Sequence, residues 1–415
     1  MIRLILKNLW SRRRKNFLLL FELIVITYLA WIIVDNIAVI MYDRSIPAGI
    51  DTDRLCYIDL DKITDSRNPN YDESRDNNEA RFEDYRRLLD RVKELPEVEN
   101  ATFVVNYQGI NVPGCSTNTV ANTCDTTYSL VCAFVPGYNF FEVYGINDGY
   151  PSRPAAELSN EGKSKNGVIL TQYFADRMAR GDSLNKDLRG VVGNVKMFYP
   201  MRSFNTMFIP IDPMGYDLSL VLRLRPDIDP KDFAYDYRNY VSLQLRSGNI
   251  YGLGITDYDT LGKSHTYTRN ANNFFRMCMI LLVFFLACLF LGVIGTYYLQ
   301  TRQRSNEAGI MKSYGASRGH IVRMMLGEAT VLTFTGWLAG SILFLNFPAT
   351  GGLSGGINYM GGCIVQPSWV DNYALHASIV AALVLVTLLI PTLIGVYIPS
   401  RKVSRVNPVD ALRDE

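Results

Sequence analysis

Phe274–Leu299 reads FFRMCMILLVFFLACLFLGVIGTYYL, and no charged residue follows Arg276 in this stretch. A helix needs about 20 predominantly apolar residues to cross the hydrocarbon core of a bilayer. The stretch is therefore long enough and apolar enough to span a membrane. The mean hydropathy of the whole chain is only +0.04, as in many soluble proteins, because a long polar segment precedes this run.

Three other apolar runs have the same character, namely Phe17–Met41, Met324–Phe347 and Leu375–Ile398. The first follows a basic cluster, as the apolar core of a secretory signal peptide does. It is longer than such a core, however, and no small-residue cleavage site stands at its end. We therefore favour a retained span, with a cleaved signal as the alternative. The sequence predicts four transmembrane helices.

Basic residues are unevenly divided among the segments between these runs. Short loops rich in Lys and Arg stay on the cytoplasmic side of a membrane. Residues 348–374 contain neither, whereas the other short segments contain several. We therefore predict a multi-pass protein of the cytoplasmic (inner) membrane, with both termini cytoplasmic and a large domain extracytoplasmic. The basic residues are Arg12, Arg13, Arg14 and Lys15, then Arg302, Arg304, Lys312, Arg318 and Arg323, and finally Arg401, Lys402, Arg405 and Arg413.

The predicted organisation follows from these boundaries. Residues 1–16 combine apolar and basic side chains with a Trp, which is typical of a helix lying at the membrane interface. The spans are 17–41, 274–299, 324–347 and 375–398, the extracytoplasmic domain is 42–273, the extracytoplasmic loop is 348–374, and the cytoplasmic segments are the loop 300–323 and the tail 399–415.

The polar segment has the periodicity of a mixed α/β domain. Leu55–Leu60 alternates like a strand, residues 79–95 have a helical apolar face, and Val98–Tyr107 reads as a second strand. We predict a split βαβ subdomain over residues 51–110 and 217–255, with residues 115–215 forming an inserted β-rich subdomain. The predicted fold class is an α-helical membrane protein with four transmembrane helices plus this mixed α/β extracytoplasmic domain.

Several kinds of chemistry lack support in the sequence. A net charge of +2 gives no case for nucleic-acid binding. No CxxC or HExxH motif is present, so we predict no metal site. Gly162–Ser164 and Gly262–Ser264 lack the earlier glycine that a phosphate-binding loop requires, and Gly352–Gly356 lacks the flanking strand and helix of a hydrolase nucleophile. We predict a non-catalytic chain without a cofactor.

Seven cysteines are present, four of them in the central polar segment. Cys115 and Cys124 flank a loop rich in Ser, Thr and Asn. An oxidising compartment would permit them to form a disulfide. Cys115–Cys124 is therefore our candidate disulfide, and reduced, buried thiols are the alternative.

The loop between the second and third runs has features of a docking surface. Gly309 and Gly315 permit a turn or close backbone approach. Apolar side chains at Ile310, Met311 and Tyr314 would offer a face to a soluble partner, with polar contacts at its rim. From charge alone, an ordinary positive-inside loop is the alternative.

Two segments carry a family resemblance. Glu307–Ser317 reads EAGIMKSYGAS, and Pro408–Glu415 reads PVDALRDE. Both resemble motifs of the FtsX/MacB superfamily of ABC transporter permeases, in which they lie between the second and third spans and in the tail. Gly167–Leu170 and Phe208–Pro210 are similar to landmarks of the MacB-type extracytoplasmic domain. The resemblance implies the ATPase-coupling residues Glu307, Gly309, Ile310, Met311, Lys312, Tyr314, Gly315, Ala316 and Ser317.

The same resemblance implies partners and a function. The chain would bind an ABC ATPase, two copies per complex, together with a second copy of itself or a paralogous permease. It would transmit ATPase motion to the outer domain for export of a peptide, toxin or drug from the periplasm, through an adaptor and an outer-membrane tunnel. Lipoprotein release, control of a cell-wall hydrolase or signalling, and a sensor without an ATPase are the alternatives.

Glycines and acids within the apolar runs need a separate explanation. Glycine lets another helix approach closely, and the candidate packing residues are Gly292, Gly295, Gly336 and Gly340. Packing within the chain and a dimer seam both remain open. Glu22 and Glu328 lie inside apolar runs, where acids are costly. They either reach the interface, meet a basic residue or serve a function in the membrane.

Overall fold

A computed structural model of the protein describes residues 10–11, 13–45, 47–105, 116–121, 126–150, 153–160, 167–178, 187–196, 206–264, 266–299, 301–346 and 372–406. The chain divides into two compact units, with boundaries after Met41 and after Asn272. The helices, numbered in chain order, are α1 Arg13–Ser45, α2 Asn78–Lys93, α3 Phe140–Val143, α4 Ala155–Leu158, α5 Gln172–Met178, α6 Pro230–Leu243, α7 Tyr258–Ser264, α8 Thr266–Leu299, α9 Thr301–Ser313, α10 Arg318–Leu345 and α11 Tyr373–Val403.

Four helices among the described residues are long and apolar enough to cross a membrane. Their spanning portions are Asn16–Tyr42, Asn272–Leu299, Arg318–Leu345 and Tyr373–Val403. The third helix begins at Arg318 rather than near residue 324, and the fourth continues past residue 398 to Val403. Helices extend beyond the apolar run where a cap or a basic last turn supports them, so helix ends and membrane boundaries differ.

The helical unit is held together by packing and by buried polar contacts. Trp31 of α1 is completely buried and stacks on Phe344 of α10, with ring centroids 5.1 Å apart. Its Nε1 donates to Ser341 Oγ at 2.7 Å. Trp337 Nε1 donates to the backbone carbonyl of Ala381 in α11 at 3.1 Å. These contacts join α1, α10 and α11, and α8 is the least buried of the four long helices.

Glycines bring α10 against α1. A Cβ added at Gly336 would lie 2.7 Å from Leu23 Cβ, and one at Gly340 would lie 2.6 Å from Thr27 Cβ. At Gly292 of α8, an added Cβ would lie 2.3 Å from Glu22 Oε1 of α1. At Gly295, by contrast, no described atom beyond its chain neighbours and the backbone of its own helix lies within 4 Å of an added Cβ. Three of the four predicted packing glycines therefore contact another helix of the same chain.

The other unit is built on one sheet. Its ten strands within the described residues are β1 Leu55–Lys62, β2 Val98–Val105, β3 Ser116–Ala121, β4 Thr126–Phe134, β5 Gly167–Thr171, β6 Asp187–Val192, β7 Thr206–Pro210, β8 Leu218–Leu224, β9 Arg246–Ser247 and β10 Ile250–Asp257. They run in the order β6-β5-β7-β4-β2-β8-β1-β10-β9, with β3 paired to β4. The central strands β2, β8, β1 and β10 are antiparallel, whereas β4 pairs with β7 and β5 with β6 in parallel.

Both faces of this sheet are covered in its centre. Successive side chains of a strand point to opposite faces, and here Tyr57 belongs to one apolar cluster whereas Cys56 and Ile58 belong to another. The face with Cys56 packs against α2 and α6. On the other face lie α3 and Tyr258. Burial on both faces explains why consecutive residues of β1, such as Cys56, Tyr57 and Ile58, are all apolar.

The fold class is confirmed, and the sheet adds one feature that the sequence did not indicate. The strands assigned to two subdomains form a continuous sheet, since β2 and β4 pair through Val104 and Phe134. A strand that ends a subdomain leaves unpaired backbone groups, and pairing with the next strand satisfies them.

Some predictions lie outside the described residues. These are the Cys115–Cys124 disulfide, residues 1–9 of the interface helix predicted over 1–16, most of the loop 348–374 and the tail from residue 407. Among the described cysteines, Cys56, Cys132 and Cys278 are buried and Cys288 is exposed.

Candidate functional site: the connection between α9 and α10

A tight turn joins α9 to α10, and its geometry follows from its residue types. Gly315 has a φ of +90°, a conformation that favours glycine. The Gly315 N–H donates to the Lys312 carbonyl and the Ala316 N–H donates to the Met311 carbonyl, each at 2.9 Å. This pair of bonds is a Schellman motif, which satisfies the last carbonyls of a helix. Gly315 therefore ends α9.

The next residues begin α10 at once. Ser317 is the N-cap of α10, and its Oγ accepts a hydrogen bond from the His320 N–H at 3.2 Å. A serine at this position satisfies one of the free N–H groups at the start of a helix. The Gly-Ala-Ser part of the sequence motif thus has a local structural cause, because it ends one helix and starts the next.

The turn exposes apolar side chains. Tyr314 is 88% exposed and Ile310 is 47% exposed. Met311 lies beside them and is half-buried. An open groove is lined by Ile310, Met311, Tyr314, Gly315, Ala316, Ser317 and His320.

The remaining predicted coupling residues have different surroundings. The Lys312 ammonium donates to the Val406 carbonyl of the same chain at 2.7 Å. Partial burial, together with the nearby Arg318 charge, lowers the pKa of Lys312. Gly309 is buried and Glu307 is half-buried. The predicted set therefore divides into two parts. Ile310 and Tyr314 form an exposed tip, whereas Gly309 and Lys312 lie on a side that packs against the protein itself.

A buried ion pair lies behind the exposed tip. Arg304 Nη1 of α9 is 2.7 Å from Glu328 Oε2 of α10, and their side chains are 5% and 2% exposed. The Arg304 guanidinium also lies 4.9 Å from the centre of the Tyr297 ring. Of the three explanations considered for Glu328, the structure shows contact with a basic residue.

A second buried pair was not predicted from the sequence. His376 Nε2 of α11 is 2.5 Å from Asp35 Oδ1 of α1, and both side chains are buried. Each residue stands within or beside an apolar run, where an ionisable side chain is costly. The sequence shows an ionisable residue in or beside each of two apolar runs, which is an indication of a buried pair. Only the tertiary structure shows that the two residues meet.

Comparison with protein families finds a match in the second half of the chain. A family model described as FtsX-like permease C-terminal matches residues 279–408. The matched region begins within α8 and includes α9, α10 and α11, so the exposed tip and both ends of the Arg304–Glu328 pair lie in it.

Curated relatives are similar over the same part of the chain. An uncharacterized ABC transporter permease, YknZ of Bacillus subtilis, is 31% identical over 125 residues, which are 30% of this chain and 28% of that protein. The pyoverdine export ATP-binding/permease protein PvdT of Pseudomonas aeruginosa is 32% identical over 125 residues, covering 30% of this chain and 16% of the relative. The macrolide export ATP-binding/permease protein MacB of Rhodopirellula baltica is 31% identical over 126 residues, with coverages of 30% and 16%. The alignments thus span less than a third of each relative.

Among solved structures, the periplasmic region of MacB from Actinobacillus actinomycetemcomitans aligns with 52% of this chain and 94% of its own length, at 12% identity and a TM-score of 0.30. A domain of a putative permease from Porphyromonas gingivalis aligns with 51% of this chain at a TM-score of 0.28.

Proposed function

We propose that this chain is the membrane subunit of an ATP-binding-cassette transporter, and that the tip between α9 and α10 receives the motion of the ATPase. The exposure of Tyr314 and Ile310 at a turn closed by two backbone hydrogen bonds is the observation that carries the proposal. Aromatic side chains that are presented on a fixed backbone are typical centres of protein interfaces. The FtsX-like permease match over residues 279–408 supports the same assignment.

Charge supports a cytoplasmic location for the tip. The segment 300–323 is basic, as cytoplasmic loops are, and ATP is available on that side. Both termini are then cytoplasmic and the sheet domain lies outside the cytoplasmic membrane. The ATP-hydrolysing subunit is a separate chain, present in two copies, and the permease pairs with itself or with a related permease.

The proposed work is done outside the membrane by movement of the sheet domain. Two of the relatives are named for macrolide export and pyoverdine export, which supports efflux of a small molecule, peptide or toxin. An adaptor and an outer-membrane tunnel belong to this proposal. Lipoprotein release and control of a cell-wall hydrolase are the alternatives that use the same motion.

Co-purification tests the proposal directly. The full chain is purified in detergent and the associated ATPase is quantified against Tyr314→Asp and Ile310→Asp variants. We expect each variant to retain at least tenfold less ATPase, because a charge at an apolar interface centre costs about 1.4 kcal/mol or more. Leu243→Asp is the matched control, since Leu243 is 79% exposed on α6 of the sheet domain.

Two results would contradict the proposal. One is the absence of any ATPase from the wild-type preparation under conditions that preserve the folded bundle. The other is equal ATPase retention by the Tyr314→Asp and Leu243→Asp proteins. Either result would mean that the tip does not bind an ATPase.

A further inference from the structure

The Arg304–Glu328 pair lies where α9 meets α10, within the apolar interior of the bundle. Tyr297, Ala308, Met325 and Ala329 form part of the same buried cluster. The two charged groups are 2.7 Å apart and almost completely removed from solvent. A charge-assisted hydrogen bond of this kind defines both the distance and the relative orientation of the helices that carry it.

Such a pair is weak evidence for overall stability. Replacing both partners of a buried ion pair by apolar residues is often neutral or stabilising, whereas removing one partner leaves a buried charge without compensation. Apolar packing around Ala308 and Met325 already holds α9 against the bundle. The distinctive contribution of the pair is therefore geometric, because α9 cannot slide or rotate against α10 while the bond persists.

We propose that the Arg304–Glu328 pair is the positioning contact through which displacement of α9 is imposed on α10. This inference rests on the proposed function, since the ATPase supplies the displacement at Tyr314. Arg304 lies near the start of α9, and Lys312 near its end donates to the Val406 carbonyl just beyond α11. The helix is thus attached to α10 at one end and to the α11 terminus at the other.

The attachment to α10 determines how far the movement spreads. Gly336 and Gly340 of α10 are in close contact with α1, and the Trp337 indole is hydrogen-bonded to the Ala381 carbonyl of α11. A displacement that enters α10 at Glu328 therefore reaches α1 and α11 through packed contacts. Without the pair, α9 and α10 would still be joined by the turn at Gly315 and by apolar packing, but the angle between them could change when the ATPase moves.

The experiment compares ATPase binding with coupling in the same complexes. The permease–ATPase complex is reconstituted in nanodiscs, and coupling is measured as the ratio of ATP hydrolysis with and without the permease. A spin-label distance between α9 and α10 is recorded with and without a non-hydrolysable ATP analogue. We expect Arg304→Gln and Glu328→Gln to retain bound ATPase within twofold of the wild-type amount. The coupling ratio should fall at least tenfold in each variant. The distance between α9 and α10 should change with nucleotide in the variants, whereas in the wild type it should stay constant.

Two further variants separate positioning from folding. The reversed pair Arg304→Glu/Glu328→Arg should restore at least one third of the coupling, which a loss of folding would not allow. The apolar pair Arg304→Met/Glu328→Leu should fold and bind ATPase, yet remain uncoupled. Arg323→Gln, an exposed arginine near the start of α10, should resemble the wild type.

Coupling in the apolar pair at the wild-type level would overturn the inference, as would a constant α9–α10 distance in the single variants. Neither result affects the proposed function, which depends on ATPase retention by the Tyr314→Asp protein. Conversely, unchanged ATPase retention by Tyr314→Asp would overturn the proposed function whatever the Glu328 variants do.

Discussion

A methyl group added at Gly340 should destabilise the helical unit, and the structure gives the size of the effect. The new Cβ would lie 2.6 Å from Thr27 Cβ and 2.8 Å from the Ile24 carbonyl oxygen. Carbon atoms in contact prefer a separation of about 3.5–4.0 Å, so α1 must move away from α10. Overpacking of this kind costs about 1–3 kcal/mol.

Gly295→Ala is the matched control, because no described atom lies within 4 Å of the new methyl group. Replacing a helical glycine by alanine stabilises a helix by about 0.5–1 kcal/mol, and this gain is common to both variants. The free energy of unfolding of Gly340→Ala should therefore lie about 1–3 kcal/mol below that of Gly295→Ala.

The assay is reversible SDS unfolding of the full chain in mixed micelles, followed by tryptophan fluorescence, since Trp31 and Trp337 lie in the helical unit. Measurement at two protein concentrations distinguishes packing within the chain from a dimer seam, because only a dimer seam makes the effect depend on concentration. Equal unfolding free energies for the two variants, or a concentration-dependent difference, would refute the assignment of Gly340 to the α1–α10 contact.

Two other perturbations test the network of charges. Removing the Asp35 carboxyl group from the buried His376–Asp35 contact by Asp35→Ala should lower the unfolding free energy by about 1–3 kcal/mol, because a buried hydrogen bond is lost, and an unchanged melting temperature in detergent would contradict this. In the sheet domain, partial burial opposes but does not overcome the Arg223 hydrogen bond and charge, which lower the pKa of Asp51 below 3.8. A carboxyl group whose pKa is lower in the folded state stabilises the fold above pH 3.8, and this stability is lost as the pH falls through the folded-state pKa. Asp51→Asn should therefore make the free energy of unfolding less dependent on pH in the acid range. An acid dependence identical to that of the wild type would argue against the Arg223 contact.

Part of the candidate site was predictable from local residue types. A glycine after a helical stretch and a serine before the next predict a helix end and a helix start, and Gly315 and Ser317 have these roles. The exposed side chains at Ile310 and Tyr314 follow from the same turn. Lys312 differs, because its ammonium contacts Val406, which is far away in the sequence. No local pattern indicates that contact.

The helix-packing glycines show the same limit. A spacing such as Gly336 to Gly340 predicts a surface for close approach, but it does not name the helix that approaches. The structure identifies α1, and it leaves Gly295 without a described neighbour within 4 Å of an added methyl group. Which glycines are used depends on how the helices cross, and this is a property of the whole bundle.

The amino-acid sequence alone determined the number of spans and the mixed α/β character of the polar domain. These features depend on the length of apolar runs and on side-chain periodicity, both of which act over short stretches of the chain. Only the tertiary structure decided that Arg304 meets Glu328, that Asp35 meets His376 and that the strands join in one sheet. The physical reason is that a buried charge or an unpaired strand edge needs a partner, and the partner is selected by packing between segments that are distant in the chain.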